Sequence, residues 1–200
     1  MPLAVQSSPC VPPTDRLVSG EELLQHPEWG PCELIRGKLV PVCRPNKVHG
    51  VLMSEISWEL LTYTKQYGTG LVVSGDSGVY LERDPDTVRG PDVYFIRRER
   101  LGETPLQPTF LEVPPDLCVE IVSPSDRWSD IEEKVRQYLA IQVKFVWVID
   151  PAWQRARVYR LDGTTDIVPN TGSLSGEAVL PGFELSLSRL FSAVNPNEHT

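Results

Sequence analysis

The chain has 200 residues, 40% of them apolar and 23% charged, with a formal net charge of −8 at pH 7. This composition predicts a folded domain with an apolar core rather than a disordered chain. It argues against a protein that coats nucleic acid through charge alone, because such binding needs a basic surface. The four cysteines lack CxxC spacing, and no segment approaches the ~20 apolar residues of a membrane span. We therefore expect a cytoplasmic protein without a membrane partner.

Three segments are expected along the chain. Residues 1–18 are rich in Pro and Ser and show no periodicity, which predicts a flexible N-terminal arm. Residues 19–191 carry the periodic apolar segments and are expected to form a single domain. Residues 192–200 follow as a C-terminal tail.

Two helices and a hairpin are predicted before residue 70. Ser19 precedes Glu22 by three positions, the spacing of a capping box, which predicts a short helix ending near Gln25. Residues 33–42 predict a hairpin with its turn at a glycine. Apolar residues at spacings of three and four predict a long helix over residues 47–67.

Short strands and a second long helix are predicted after residue 70. Ser129 and Glu132 form a second capping box, which predicts a helix ending near Ile141. The predicted strands and a last helical turn cover residues 71–73, 78–82, 92–96, 117–122, 145–149, 155–161, a short run near 167, and 187–191. This order predicts an α/β or α+β fold, with a central mixed β-sheet flanked by helices around one core.

Three carboxylates occupy positions where a solvated acid is unexpected. Glu120 lies within an apolar strand, on the same face as Cys118 and Val122 by the two-residue period. A carboxylate there is costly unless another group compensates its charge. Asp92 follows a Gly-Pro pair at the start of another strand, and Glu33 begins the hairpin. The alternative for each acid is an ordinary ion pair or a turn residue.

Lys134 lies within the apolar stripe of the second long helix, three residues after Ile131 and four before Tyr138. A lysine there either extends to solvent or meets an acidic partner. Glu120 and Asp92 are the expected partners, because the helix must pack on the sheet that these strands form.

Carboxylates with a nearby lysine suit one type of chemistry. Carboxylate oxygens are ligands that Mg²⁺ prefers, and the ion lowers the pKa of an attacking water. An ammonium group positions that water or neutralises charge that develops on a phosphoryl group. The residues therefore predict metal-assisted hydrolysis of a phosphodiester bond.

Several sequence blocks, taken in order, resemble the Uma-two family of restriction-endonuclease-like proteins, within the PD-(D/E)XK nuclease superfamily. The blocks are Glu33-Leu-Ile-Arg-Gly37, His49-Gly50, Arg89-Gly-Pro91-Asp92-Val93, Pro115-Asp116-Leu-Cys-Val-Glu120-Ile-Val-Ser123-Pro124-Ser125, Lys134-x3-Tyr138, Trp147-Val-Ile-Asp150-Pro151 and Leu180-Pro181-Gly182-Phe183. The resemblance spans residues 19–191 and implies a restriction-endonuclease-like core.

The resemblance also implies a metal centre. Asp92 and Glu120 would hold Mg²⁺, which Mn²⁺ could replace, with help from Glu33 and the carbonyl of Ile121. The superfamily's lysine normally follows the glutamate by two residues, where this chain has a valine. Lys134 is expected to replace it from the next helix.

His49 begins the long helix, and the resemblance places it near the acids. It would contact phosphate or position water, with a structural histidine as the alternative. Two groups of arginines, at residues 97–100 and 155–160, are expected either to contact phosphates or to form solvated runs of charge. Trp128 and Trp153 are interpreted as core or interface residues rather than as base-stacking residues.

The leading hypothesis is a Mg²⁺-dependent endonuclease that hydrolyses phosphodiester bonds in DNA. One alternative is a non-catalytic interaction module that retains a nuclease fold, since fold alone does not imply function. Another is a metal-dependent phosphodiesterase that acts on small substrates. A homodimer is a further hypothesis, because paired cuts favour two-fold assemblies.

Overall fold

A computed structural model describes residues 16–102 and 106–195. Residues 1–15 of the expected arm and 196–200 of the expected tail lie outside these ranges. The helices are α1 (Gly20–Gln25), α2 (Lys47–Tyr67), α3 (Arg98–Leu101), α4 (Trp128–Ala140) and α5 (Leu187–Ser192), with a 3-10 turn at Pro27–Trp29. The strands are β1 (Cys32–Ile35), β2 (Lys38–Pro41), β3 (Gly70–Ser74), β4 (Val79–Glu82), β5 (Thr87–Arg89), β6 (Val93–Arg97), β7 (Leu117–Ile121), β8 (Phe145–Asp150), β9 (Arg155–Arg160), β10 (Thr165–Pro169), β11 (Ser173–Ser175) and β12 (Glu184–Ser186).

The central sheet has the strand order β10-β9-β8-β7-β6-β3. Its β7 and β8 strands are parallel, whereas the other neighbours pair in antiparallel fashion. A parallel pair needs a crossover connection, and α4 supplies it between β7 and β8. A second, antiparallel sheet has the order β2-β1-β5-β4, and β11 pairs with β12. The predicted mixed sheet with flanking helices is confirmed.

The central sheet is buried on both faces. Val119 of β7 belongs to the same apolar cluster as Leu52 and Ile56 of α2. Cys118, on the opposite face of β7, belongs to the cluster that contains Val135 of α4. The predicted alternation of β7 is confirmed, so Glu120 lies on the face that α4 covers. No helix among the described residues is long and apolar enough to cross a membrane.

The first capping box is confirmed and the second is wrong. The hydroxyl of Ser19 accepts a hydrogen bond from the amide of Glu22 at 3.1 Å. The helix predicted from the second capping box, α4, instead begins at Trp128, and the extended residue Arg127 is its N-cap. Ser129 therefore lies inside the first turn, where its hydroxyl donates to the Asp130 carboxylate at 3.2 Å. An N-cap must be extended so that its side chain reaches the free amides, and Ser129 is not.

Candidate active site

The chain crosses from one sheet to the other between β5 and β6. Arg89 ends β5, and a Gly-Pro pair leads to Asp92, which directly precedes β6. In the antiparallel pair of β1 and β5, Leu34 lies opposite Val88. This register places Glu33 beside Arg89, and the two side chains form a buried ion pair. The crossing therefore brings Glu33 and Asp92, which lie far apart in sequence, to one place.

Glu120 is held by two side chains of α4. Its Oε2 atom lies 3.1 Å from Nζ of Lys134, and the Tyr138 hydroxyl donates to its Oε1 atom at 2.6 Å. Lys134 and Tyr138 are four residues apart and share the face of α4 that packs on β7. Of the two alternatives for Lys134, the structure shows an acidic partner rather than extension to solvent.

Lys134 also contacts a second acid. Its Nζ atom lies 3.2 Å from Oε1 of Glu33, so the ammonium group bridges the carboxylates of β1 and β7. Arg89 holds the other oxygen of Glu33, and its Nε donates to the Gln137 side-chain oxygen at 2.9 Å. The three predicted residues Glu33, Glu120 and Lys134 thus form one connected cluster.

Asp92 joins this cluster through the backbone of β7. Its Oδ2 atom accepts a 2.6 Å hydrogen bond from the amide of Ile121, the residue after Glu120. Its Oδ1 atom lies 3.1 Å from Nε2 of His49. The amide of His49 in turn donates to the side chain of Asn46, the N-cap of α2. The cap fixes the first turn of α2, and that turn holds His49 against Asp92.

Asp76, which the sequence pattern did not single out, also lies near Asp92. It follows Gly75, whose amide donates to the carbonyl of Asp92 at 3.2 Å. A Cβ atom at Gly90 would lie 2.7 Å from the carbonyl oxygen of Asp76, so the glycine allows this close approach. Partial burial and the charge of Asp92 both raise the pKa of Asp76. Its irregular loop carries no periodic signal from which it could have been found.

The electrostatics of the cluster follow from burial and an excess of acids. Burial raises the pKa of Glu120 to about 7, against the opposing charge of Lys134. Burial opposes the charge of Lys134, but Glu120 and Glu33 raise its pKa above the usual value. Burial also opposes the charge of His49, yet its bond to Asp92 raises its pKa. The cluster therefore favours added positive charge.

The donor set is compatible with a magnesium ion. Four carboxylates, including that of Asp76, face the permanent cations Arg89 and Lys134, which leaves two negative charges uncompensated when all are ionised. Across residues 16–102 and 106–195, no three His, Cys, Asp or Glu side chains converge as a ready metal site. Mg²⁺ commonly binds through one or two carboxylates and keeps waters elsewhere, so Asp92 and Glu120 fit its needs.

Other predicted residues lie outside the cluster or have different partners. Arg97 and Arg100 both contact the buried carboxylate of Asp116, so they stabilise the fold. Arg160 pairs with Asp166 of β10 and with Glu177. Trp153 is 73% exposed, so of its two interpretations, a core or an interface residue, the first is wrong.

An open cleft of about 660 Å³ exposes the cluster. Its walls include Glu33, Asp92, Glu120 and Lys134, and His49 lies at one side. The volume falls within the range of small-molecule ligand sites. A ligand entering here would meet the acids of β1 and β7, Asp92 from the connection before β6, and the ammonium group of α4.

A mixed sheet between helices, with acids from two sheets around one lysine, defines a restriction-endonuclease-like protein. The profile of the family described as "Uma2: Putative restriction endonuclease" matches residues 21–188, and the chain belongs to this family. The chain is also similar to the crystal structure of "a putative nuclease belonging to DUF820" from Anabaena variabilis ATCC 29413. That similarity has a TM-score of 0.77 and 22% identity, and it covers 88% of this chain and 99% of the other. No curated protein matches the chain. The family and the fold support a nuclease-like function.

Proposed function

We propose that the chain is a Mg²⁺-dependent endonuclease that hydrolyses phosphodiester bonds in DNA. The bridge that Lys134 makes between Glu33 and Glu120, beside Asp92, carries this proposal. Ion pairs that only stabilise a fold need no open cleft, whereas this cluster lines one. A buried excess of acids costs stability, which natural sites commonly accept in exchange for function.

Each residue of the cluster has a role in the proposal. Asp92 and Glu120 would hold the ion, with Glu33 and the Ile121 carbonyl as further oxygen ligands. The bound ion supplies an acidified water and stabilises negative charge on the phosphoryl oxygens. Lys134 keeps its proton because two carboxylates face it. It therefore acts as a hydrogen-bond donor that orients water or phosphate, and does not act as the base.

His49 is assigned a positioning role in the same proposal. Its Nε2 atom contacts Asp92 Oδ1, and its Nδ1 atom is buried without a hydrogen-bond partner in the described part of the chain. A histidine with only structural duties would be expected to satisfy both ring nitrogens. His49 is thus placed to orient Asp92.

The first test is cleavage of supercoiled plasmid by the full chain with Mg²⁺ or Mn²⁺. Wild type should convert the plasmid to nicked and linear forms, and a chelator should stop the reaction. Asp92→Asn and Glu120→Gln should each lower the rate at least ~100-fold. Glu132→Gln, which removes an exposed charge from the same helix as Lys134, should leave the rate unchanged.

Three outcomes would contradict the proposal in different ways. Failure of wild type to cleave double-stranded DNA, single-stranded DNA or RNA with either metal rejects the nuclease function. Absence of Mn²⁺ binding by calorimetric titration would indicate a non-catalytic module. Hydrolysis of nucleotide diesters without cleavage of polymers would indicate the small-substrate phosphodiesterase. A cytoplasmic location and a homodimer belong to the same proposal, and sedimentation of the purified chain tests the dimer.

A further inference from the structure

A second pocket, of about 750 Å³, adjoins the acid cleft, and His49 and Ser123 line both. It lies beyond the carboxyl ends of the parallel strands β7 and β8, between the first turn of α2 and the first turn of α4. Crevices at the carboxyl ends of parallel strands are common ligand sites. We call it the tryptophan pocket, after Trp128 and Trp153 in its wall.

Trp153 presents an aromatic surface to this pocket. It lies in the turn between β8 and β9, where its amide donates to Asp150 Oδ1 at 3.3 Å. The indole is 73% exposed although the turn is anchored. When a flat partner covers a large apolar ring that is exposed to solvent, the free energy of the complex is lowered.

Positive groups line the same wall. The guanidinium of Arg157 lies 4.3 Å from the ring centroid of Trp128. Within the described ranges Arg157 has no carboxylate partner, and its Nε atom is buried without an acceptor. Lys47 contributes at the start of α2, whereas Arg155, which lies 5.5 Å from the ring of Trp153, is paired with Asp150 of the same wall.

Arg157 differs in its lack of an ion pair from most of the other described arginines. Most described arginines, such as Arg83 and Arg160, are paired with one or more acids, as expected for a net charge of −8. An unpaired guanidinium stacked on an indole is therefore free to accept an anion. Exposed aromatic rings beside cations are the means by which proteins bind single strands, with bases on the rings and phosphates beside the cations.

We propose that the tryptophan pocket binds one unpaired nucleotide of the substrate strand. The base stacks on Trp153, and the adjoining phosphate contacts Arg157. The pocket can hold one nucleotide but not a duplex, so the strand enters single-stranded or with a nucleotide extruded from the helix. The inference rests on the proposed nuclease function, because shared residues link the pocket to the acid cleft.

Binding to two labelled strands tests the proposal by fluorescence anisotropy, with a chelator present so that no strand is cut. One strand has about 12 nucleotides, and the other is an abasic strand of the same length and phosphate number. Stacking of one base corresponds to roughly 5- to 150-fold in affinity. Wild type should therefore prefer the strand with bases by about tenfold.

Variants separate the aromatic from the electrostatic contribution. Trp153→Ala should bind both strands with the affinity that wild type shows for the abasic strand. Arg157→Gln should weaken binding of both strands by a similar factor. Trp58→Ala is the control, because Trp58 is 64% exposed on α2 and does not line the pocket.

Equal affinity of wild type for the two strands, or a base preference that survives Trp153→Ala, would overturn the pocket assignment. If plasmid cleavage still depends on Asp92 in that case, the proposed function stands while this inference fails. A free nucleoside monophosphate that competes as strongly as the strand would also overturn it, since the occupant would be a small molecule. A base preference without cleavage of double-stranded DNA, single-stranded DNA or RNA by either metal would retain the pocket and reject the nuclease.

Discussion

Asp92 accepts a hydrogen bond from the backbone amide of Ile121 at 2.6 Å, so its carboxylate is fixed to β7, the strand that carries Glu120. Because the donor is a backbone amide of a buried strand, it cannot move away from Asp92 by a change of side-chain rotamer. The spacing between Asp92 and Glu120 is therefore set by the pairing of β6 with β7, in which Val93 lies opposite Val119. The site is built into the sheet before any ligand binds.

The first prediction separates the charge of Asp92 from its hydrogen bond. Asp92→Asn keeps an oxygen that can accept from the Ile121 amide, whereas Asp92→Ala leaves that buried amide unpaired. We expect both variants to lose cleavage, and Asp92→Ala to be less stable than Asp92→Asn by about 1–3 kcal/mol. Urea unfolding monitored by circular dichroism measures the difference. Equal stability of the two variants would show that the amide finds another acceptor.

The second prediction concerns the Lys134 bridge. Lys134→Met leaves Glu33 and Glu120 without their shared cation, and we expect a loss of about 2–4 kcal/mol, below the range for fully buried pairs because Lys134 is 20% exposed. Adding Glu120→Gln should recover part of this loss, because Lys134 is the cation paired with Glu120, whereas Glu33 keeps its ion pair with Arg89. A double-mutant cycle measured by denaturant unfolding gives the coupling, expected at about 1–2 kcal/mol. Strict additivity would mean that water, rather than Lys134, compensates these acids.

The third prediction is a fall in stability as pH rises. Burial raises the pKa of Glu120 from 4.5 to about 7 in the folded chain. Between these values the folded state holds a proton that the unfolded state has released, so the free energy of unfolding decreases with increasing pH. The raised pKa values of Asp76 and His49 act in the same direction.

Comparison with Glu120→Gln isolates the contribution of that residue. Without metal, the free energy of unfolding of wild type should fall between about pH 4.5 and 7. This fall should be larger than that of Glu120→Gln by on the order of 2–3 kcal/mol. Thermal unfolding across this pH range, in a chelator, measures both proteins. Parallel profiles would show that Glu120 is ionised throughout the range and that Lys134 compensates it fully.

Two residues of the candidate site could be predicted from local patterns in the sequence. The two-residue period of β7 and the helical stripe of α4 each placed an ionisable side chain on an apolar face, and the structure shows Glu120 and Lys134 in contact. Such patterns are local, so one strand or one helix suffices to reveal them. The bounds of α2 were also predicted correctly, because the stripe is long and Gly68 ends it in a left-handed conformation.

The parts that depend on tertiary contacts were not predicted. Arg89 belongs to a three-residue strand, too short to show a period, and it meets Glu33 only because β5 pairs with β1 in the second sheet. Trp128 and Trp153 line one pocket because the start of α4 lies near the turn after β8, which no local pattern reports. The start of α4 was predicted incorrectly for a simpler reason. The extended residue Arg127 is its N-cap, in place of Ser129, although serine is the preferred residue type at that position.

The last prediction concerns Tyr138, whose hydroxyl donates to Glu120 Oε1 at 2.6 Å. This bond favours the ionised carboxylate, so Tyr138→Phe should raise the pKa of Glu120 further. A carboxylate must lose its proton before it binds a metal, so the pH at which Mn²⁺ binding reaches half its maximum should rise by about one unit. Calorimetric titration at a series of pH values measures this midpoint. Tyr67→Phe is the matched control, because Tyr67 is exposed on α2 and lies outside the cleft. An unchanged midpoint in Tyr138→Phe would show that Glu120 does not control metal binding, and the proposed ligand set would then have to be revised.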